Sequence, residues 1–101
     1  MAYSTYDTVS VGRHQVKVPR VRARLLRALV ARQGCLVLHE ILLAETFGGW
    51  MPADPLACLR VHVARLRRDL DQVGVAVYVK HGVGYTIRVG KRKGAGRRKL
   101  V

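Results

Sequence analysis

Arginines recur along one short segment of the chain, at Arg60, Arg65, Arg67 and Arg68. A guanidinium group can donate to two acceptors of a guanine edge at once, and it also pairs with phosphate. Val61 and Ala64 lie between these arginines. A valine can touch a thymine methyl group, and small residues let a helix approach base edges. The segment therefore has the residue types that a nucleic-acid-reading element needs.

The same segment is predicted to be a helix over about residues 54–70. Apolar residues step along it by three and four: Leu56, Leu59, Val63, Leu66 and Leu70. At 100° per residue they fall within an arc of about 80°, which is typical of a core-facing stripe. Asp54 followed by Pro55 gives a capping side chain and a first-turn proline.

The side of this helix opposite the apolar stripe is predicted to face a partner. We expect bases to be read by Val61, Arg65 and Arg68. We expect the nucleic-acid backbone to be contacted by Arg60, His62 and Arg67, with Lys80 added from further along the chain. The alternative is an ordinary solvated basic face, which most basic stripes are. For His62, a structural or phosphate-bonding role is favoured over any role as a ligand.

The elements around this helix predict an α+β fold. Residues 8–18 alternate apolar and polar around a Gly12-Arg13 turn, which indicates a hairpin. Residues 75–89 alternate in the same way around residues 80–84 and predict a closing hairpin. The valines, tyrosine and isoleucine expected to face the core are Val9, Val11, Val16, Val18, Val75, Val77, Val79, Tyr85, Ile87 and Val89.

Two further helices are expected between the hairpins. The first opens at Pro19 and stops near Gly34, and the second covers residues 39–46, after a short strand at residues 36–37. Their predicted core residues are Val21, Leu25, Ala28 and Leu29, with Leu26 at the edge, and then Ile41, Leu42 and Leu43. Hairpin, three helices and hairpin is the order of a winged helix-turn-helix, in which the third helix reads DNA.

The charge balance supports a polyanionic partner. Nineteen Lys and Arg face six Asp and Glu, a formal net charge of +13, and such a surface repels itself unless it meets a polyanion. Nucleic acid is the first candidate and an anionic membrane the second, although no apolar run approaches the roughly 18 residues of a membrane span. Residues 1–89 are expected to form the domain and residues 90–101 a flexible basic tail. The tail cations are Lys91, Arg92, Lys93, Arg97, Arg98 and Lys99.

Residues 59–70, LRVHVARLRRDL, and residues 80–85, KHGVGY, resemble the DNA-binding output domain of OmpR/PhoB-type response regulators. The family pattern is roughly V-x-V-H-I-x-R-L-R-x-K-L followed by an R-G-x-G-Y wing. The resemblance extends less specifically over residues 9–89. It implies a third helix in the major groove that reads bases through Val61 and Arg65. It also implies a wing, residues 80–84, at the minor groove.

Several positions depart from the family pattern. His81 stands where an arginine typically enters the minor groove. Because histidine is charged only in mildly acidic solution, we expect that contact to be stronger near pH 6 than near pH 8. The alternative is that Lys80 or Arg88 makes the contact and His81 only packs beside the sugar. Arg60 stands where the family is commonly acidic, so a different specificity is expected. Leu38 replaces the serine that usually caps the second helix. A chain of 101 residues leaves no room for the receiver domain usually fused to this family, so control by phosphorylation is not expected.

The resemblance also implies partners besides double-stranded DNA. Family members contact RNA polymerase through the loop that contains Trp50, although this aromatic could equally fold onto the core. They also bind direct repeats as head-to-tail pairs. We expect a cytoplasmic, nucleoid-associated protein with no cofactor, and two reduced thiols, Cys35 and Cys58.

The sequence predicts a sequence-specific DNA-binding regulator and leaves two alternative functions open. The four histidines show no metal-type spacing and no nucleophile has partners at catalytic spacing, so neither a metal site nor an enzyme is expected. One alternative is a winged-helix interaction protein that binds RNA polymerase or another regulator. Another is a non-specific nucleoid or RNA-binding basic protein.

Overall fold

In a computed structural model of the chain, residues 5–89 are described; the predicted tail, residues 90–101, lies outside them. The helices and strands follow the predicted order. They are β1 (Tyr6–Val11), β2 (His14–Pro19), α1 (Arg20–Ala31), β3 (Val37–Leu38), α2 (His39–Phe47), α3 (Pro55–Asp71), β4 (Val75–Lys80) and β5 (Gly84–Val89).

The N-terminal hairpin forms as predicted. β1 and β2 pair antiparallel, with Val11 opposite His14 and Gly12 in the turn at a φ of 60°. Its four valines, at positions 9, 11, 16 and 18, are buried. The turn packs against the end of β5, since a Cβ on Gly12 would lie 2.8 Å from a Val89 side-chain carbon. A larger residue at Gly12 would therefore disturb the contact between the two hairpins as well as the turn.

The three helices enclose the core through their apolar stripes. The fully buried leucines of α1, α2 and α3 are Leu25, Leu26, Leu29, Leu42, Leu59, Leu66 and Leu70. Leu26, expected at the edge, is completely buried. Leu56, expected in the core, is 38% exposed. Leu56 lies in the first turn of α3, next to the loop that precedes this helix, where the buried part of the helix has not yet begun.

The C-terminal hairpin belongs to a three-stranded sheet in the order β3-β5-β4. Val37 of β3 pairs with Tyr85, and a Cβ on Gly84 would overlap the Val37 carbonyl, so only glycine fits at the start of β5. Val79, expected in the core, is 37% exposed. It lies near the hairpin tip on β4, an edge strand of this sheet, whereas Tyr85 opposite it on the central strand β5 is buried.

Element boundaries differ from the predicted ones by one or two residues. Pro19 ends β2 and precedes α1 as its N-cap, because a fixed φ near −65° suits both a strand end and a helix entry. The short third strand begins at Val37, and α2 continues to Phe47. Leu38, as expected, offers α2 no capping hydrogen bond. Within residues 5–89, no helix has the length and apolar character needed to cross a membrane.

Candidate nucleic-acid interface

The outer side of α3 is a continuous exposed surface. Asp54 caps the helix as predicted, with its Oδ1 accepting from the Ala57 backbone N–H at 3.3 Å. Val61 is 47% exposed although it is apolar, and Arg65 and Arg68 beside it are also exposed. The structure therefore brings the three predicted base-reading residues together on one side of the helix. Their contact with bases stays a prediction.

Arg60 and Arg67, two of the predicted backbone contacts, differ in their surroundings. Both side chains are exposed on α3. The Nε–H of Arg67 donates to the carbonyl oxygen of Val77 in β4, at 3.1 Å. This bond joins α3 to β4, the strand that leads into the wing. Nothing in the spacing of the sequence indicated it, because it links a side chain to a backbone atom.

His62, another predicted backbone contact, is half-buried rather than fully presented to solvent. Its ring lies 6.1 Å from that of Phe47, and its Nδ1 is buried without a hydrogen-bond partner in the described part of the chain. Burial lowers the pKa of His62, and the positive charges of Arg22 and Arg65 lower it further. A lowered pKa favours the neutral ring, which can still form a hydrogen bond with phosphate.

An ion pair fixes α3 against α1. Arg22 Nη1 donates to Asp69 Oδ2 at 3.0 Å, and both side chains are largely shielded from solvent. Two residues separated by 47 positions gave no signal that could be recognised in the sequence. The pair orients α3 through its last turns and leaves its outer side free.

The predicted wing forms an exposed tip. Lys80, His81 and Gly82 are exposed, and the Val83 backbone N–H donates to the Lys80 carbonyl at 3.0 Å to close the turn. Gly82 has a φ of 77°, which glycine adopts readily. The His39 backbone N–H donates to the Val83 carbonyl at 2.9 Å and ties the tip to the start of α2. Lys80 and His81 thus have access to a partner, and their contacts with DNA stay predictions.

The loop between α2 and α3 presents apolar side chains to solvent. Trp50 is 74% exposed and Met51 is also exposed, although the Trp50 backbone N–H donates to the Phe47 carbonyl at 3.2 Å. Of the two interpretations of Trp50, folding onto the core is wrong. An exposed tryptophan beside an exposed methionine is typical of a contact surface for protein.

Other chemistry finds little support in the described residues. No group of three or more His, Cys, Asp or Glu within residues 5–89 could hold a metal ion. Cys35 is exposed and Cys58 half-buried, and both are free thiols. The six predicted tail contacts, from Lys91 to Lys99, lie outside the described residues.

The described elements form a winged helix with an exposed basic side on its third helix. Residues 13–87 match the family "Transcriptional regulatory protein, C terminal", the DNA-binding domain of OmpR/PhoB-type regulators, and the chain belongs to this family. A search of curated protein sequences finds no match. The fold is similar to the C-terminal domain of the nisin resistance regulator NsrR, a lantibiotic response regulator. The TM-score is 0.63 at 21% identity, covering 85% of this chain and 93% of that one.

Family membership confirms the predicted resemblance and the winged-helix fold. It also establishes that the chain is a DNA-binding domain of a transcription regulator, because that is what the family consists of. This family is not one of enzymes, which confirms that expectation. The predicted groove contacts and sequence specificity stay predictions.

Proposed function

We propose that the protein regulates transcription by binding a specific sequence of double-stranded DNA, with α3 in the major groove. The observation that carries this proposal is the exposure of Val61 between arginines on the outer side of α3. Exposing an apolar side chain there has no folding benefit, whereas a valine can contact a thymine methyl group and an arginine can bond two acceptors of guanine.

The wing, residues 80–84, extends the proposed contact to the minor groove. Lys80 and His81 are exposed at its tip, and the enhanced negative potential of a narrow minor groove favours a cation. Arg60, His62 and Arg67 would then contact phosphates beside the major groove and fix the helix in register. The proposed site of action is the nucleoid within the cytoplasm, because a protein with a net charge of +13 is attracted to the negatively charged DNA there.

Selection from a random duplex pool, followed by footprinting of the enriched sequence, tests the proposal. We expect one enriched motif and a discrete protected region in the presence of excess competitor DNA. Two adjacent protected repeats of the same polarity would indicate binding as a head-to-tail pair. Uniform protection without an enriched motif would contradict the proposal and favour a nucleoid or RNA-binding protein that uses charge alone.

RNA polymerase is proposed as a second partner, through Trp50 and Met51. Their exposure on the loop before α3 is the observation that favours it. Trp50→Ala should reduce transcription from the selected site or co-purification with polymerase, while DNA affinity remains within twofold of the parent. Arg32→Ala, at an exposed position beyond α1, is the matched surface control. If Trp50→Ala and the control behave alike in both assays, the loop is not a polymerase contact.

A further inference from the structure

One hydrogen bond connects α3, which is proposed to enter the major groove, to β4, the strand that leads into the wing. Arg67 on α3 donates through Nε–H to the backbone carbonyl of Val77 on β4, at 3.1 Å. Val77 keeps its side chain in the core, so its carbonyl is a fixed point of the sheet. A guanidinium has four other N–H donors, which remain available after this bond forms.

The acceptor lies on a strand that has only one paired neighbour. Among the described strands, β4 pairs with β5 and with no other. Alternate residues of such an edge strand direct their carbonyl and N–H groups away from the paired strand. A charged donor satisfies one of these carbonyls more strongly than a neutral donor would. The Arg67 side chain therefore joins the unpaired edge of β4 to α3.

The bond lies close to both predicted contact sites. Arg67 is two residues beyond Arg65, about 3 Å along the helix axis. Val77 is three residues before Lys80, about 10 Å along the strand. Movement of β4 relative to α3 would therefore shift the wing tip relative to the base-reading side chains with little intervening structure to absorb it.

Arg60 provides an internal comparison. It precedes Arg67 by seven residues, which places both on nearly the same side of α3. Both are exposed arginines, but no hydrogen bond or ion pair joins the Arg60 side chain to any other residue within residues 5–89. The two residues thus offer DNA the same charge and differ in the bond to β4.

We propose that Arg67 is a positioning residue, which fixes the wing relative to α3 so that both grooves are contacted at once. This inference rests on the proposed function and adds to it a coupling between helix and wing. The positioning role is additional to the phosphate contact proposed for Arg67, because a phosphate contact alone would add affinity without making the contribution of the wing depend on Arg67.

A double-mutant cycle on the selected DNA site tests the coupling. Arg67→Met and Arg60→Met both remove one charge and keep an apolar stem of similar length. Lys80→Ala removes a wing cation. Lys80→Ala should weaken DNA binding by a certain factor in the parent. In the Arg67→Met background, we expect this factor to be at least about threefold smaller. In the Arg60→Met background it should equal the parent value. Equal effects of Lys80→Ala in all three backgrounds would overturn the inference.

Hydrogen exchange of the free protein gives a second result that does not depend on DNA. Backbone amides of β4 and β5 should exchange faster in Arg67→Met than in Arg60→Met, while amides of β1 and β2 remain equally protected in both. Equal exchange of β4 and β5 in the two variants would also overturn the inference. If the parent itself shows no preferred DNA site, the proposed function fails, whereas the exchange result still shows whether Arg67 holds the wing.

Discussion

The two long sides of α3 differ in burial and in chemistry. On the inner side, Leu59, Val63, Leu66 and Leu70 are at most 1% exposed and pack into the core. On the outer side, Val61 is half-exposed among arginines that meet solvent. The inner side determines where the helix lies. The residue types on the outer side are not constrained by packing and can therefore suit a binding partner. Substitutions on the two sides should therefore separate folding from DNA binding.

The largest expected effect is on the inner side. Leu66 is completely buried, so Leu66→Ala should lower the free energy of unfolding by about 2–5 kcal/mol through lost burial and a cavity. Urea denaturation measures this change. Arg68→Ala, on the exposed side of the same helix, should change stability by less than about 0.5 kcal/mol. Similar losses for both variants would contradict the distinction between the two sides.

The next largest effect is expected at the ion pair that orients α3. Asp69→Asn weakens the bond to Arg22 and should lower the free energy of unfolding by about 1 kcal/mol, a value between an exposed and a buried charged hydrogen bond. Asp71→Asn is the matched control, because Asp71 is an exposed aspartate at the end of the same helix. Equal stability of the two variants would show that the pair contributes nothing to the placement of α3.

A smaller, pH-dependent effect is expected at His62, which lies between the two sides. Its pKa is lowered in the folded protein, so the unfolded chain binds a proton more readily. The contribution of His62 to the free energy of unfolding should therefore be fully present above the ordinary histidine pKa. It should be lost progressively as the pH drops below that value. His62→Gln should remove this component from denaturation curves measured between pH 7.5 and 5.5. His14→Gln, at an exposed position, should keep it. The same pH dependence in the parent and in His62→Gln would contradict the conclusion that His62 causes it.

No effect on stability is expected from the tail. Deleting residues 90–101 removes six cations. If these cations are partly engaged with DNA, the slope of log affinity against log salt should become shallower by roughly 2–5. The ratio of specific to random DNA affinity should remain, because base reading is assigned to α3. An unchanged slope would show that the tail does not touch DNA, and a lost ratio would mean that the outer side of α3 is not sufficient for specificity.

Much of the fold could be predicted because its determinants are local. The three-and-four spacing of α3, the Asp54-Pro55 start and the valine alternation of the first hairpin each follow from residues close in sequence. The exposure of Leu56 and Val79 could not be predicted in this way. Periodicity gives the direction of a side chain, but not whether another element extends far enough to cover it.

The candidate site was predictable only in part for the same reason. The outer side of α3 can be predicted because it is the side opposite the apolar stripe. Helical periodicity alone therefore predicts that Val61 and Arg65 lie together. The Arg22–Asp69 pair and the bond from Arg67 to the Val77 carbonyl join distant segments. Neither has a local sequence pattern. Every residue has a backbone carbonyl, so the type of residue that accepts a side-chain hydrogen bond through this group cannot indicate the bond.

Arg65→Ala tests the central claim most directly, because the claim assigns base reading to the outer side of α3. The measurement compares affinities of the parent and the variant for the selected site and for random duplex of equal length at one salt concentration. We expect Arg65→Ala to weaken binding to the selected site by about 1–3 kcal/mol and to weaken random binding much less, with unfolding unchanged. Equal losses on both duplexes would make Arg65 a phosphate contact and would contradict the account.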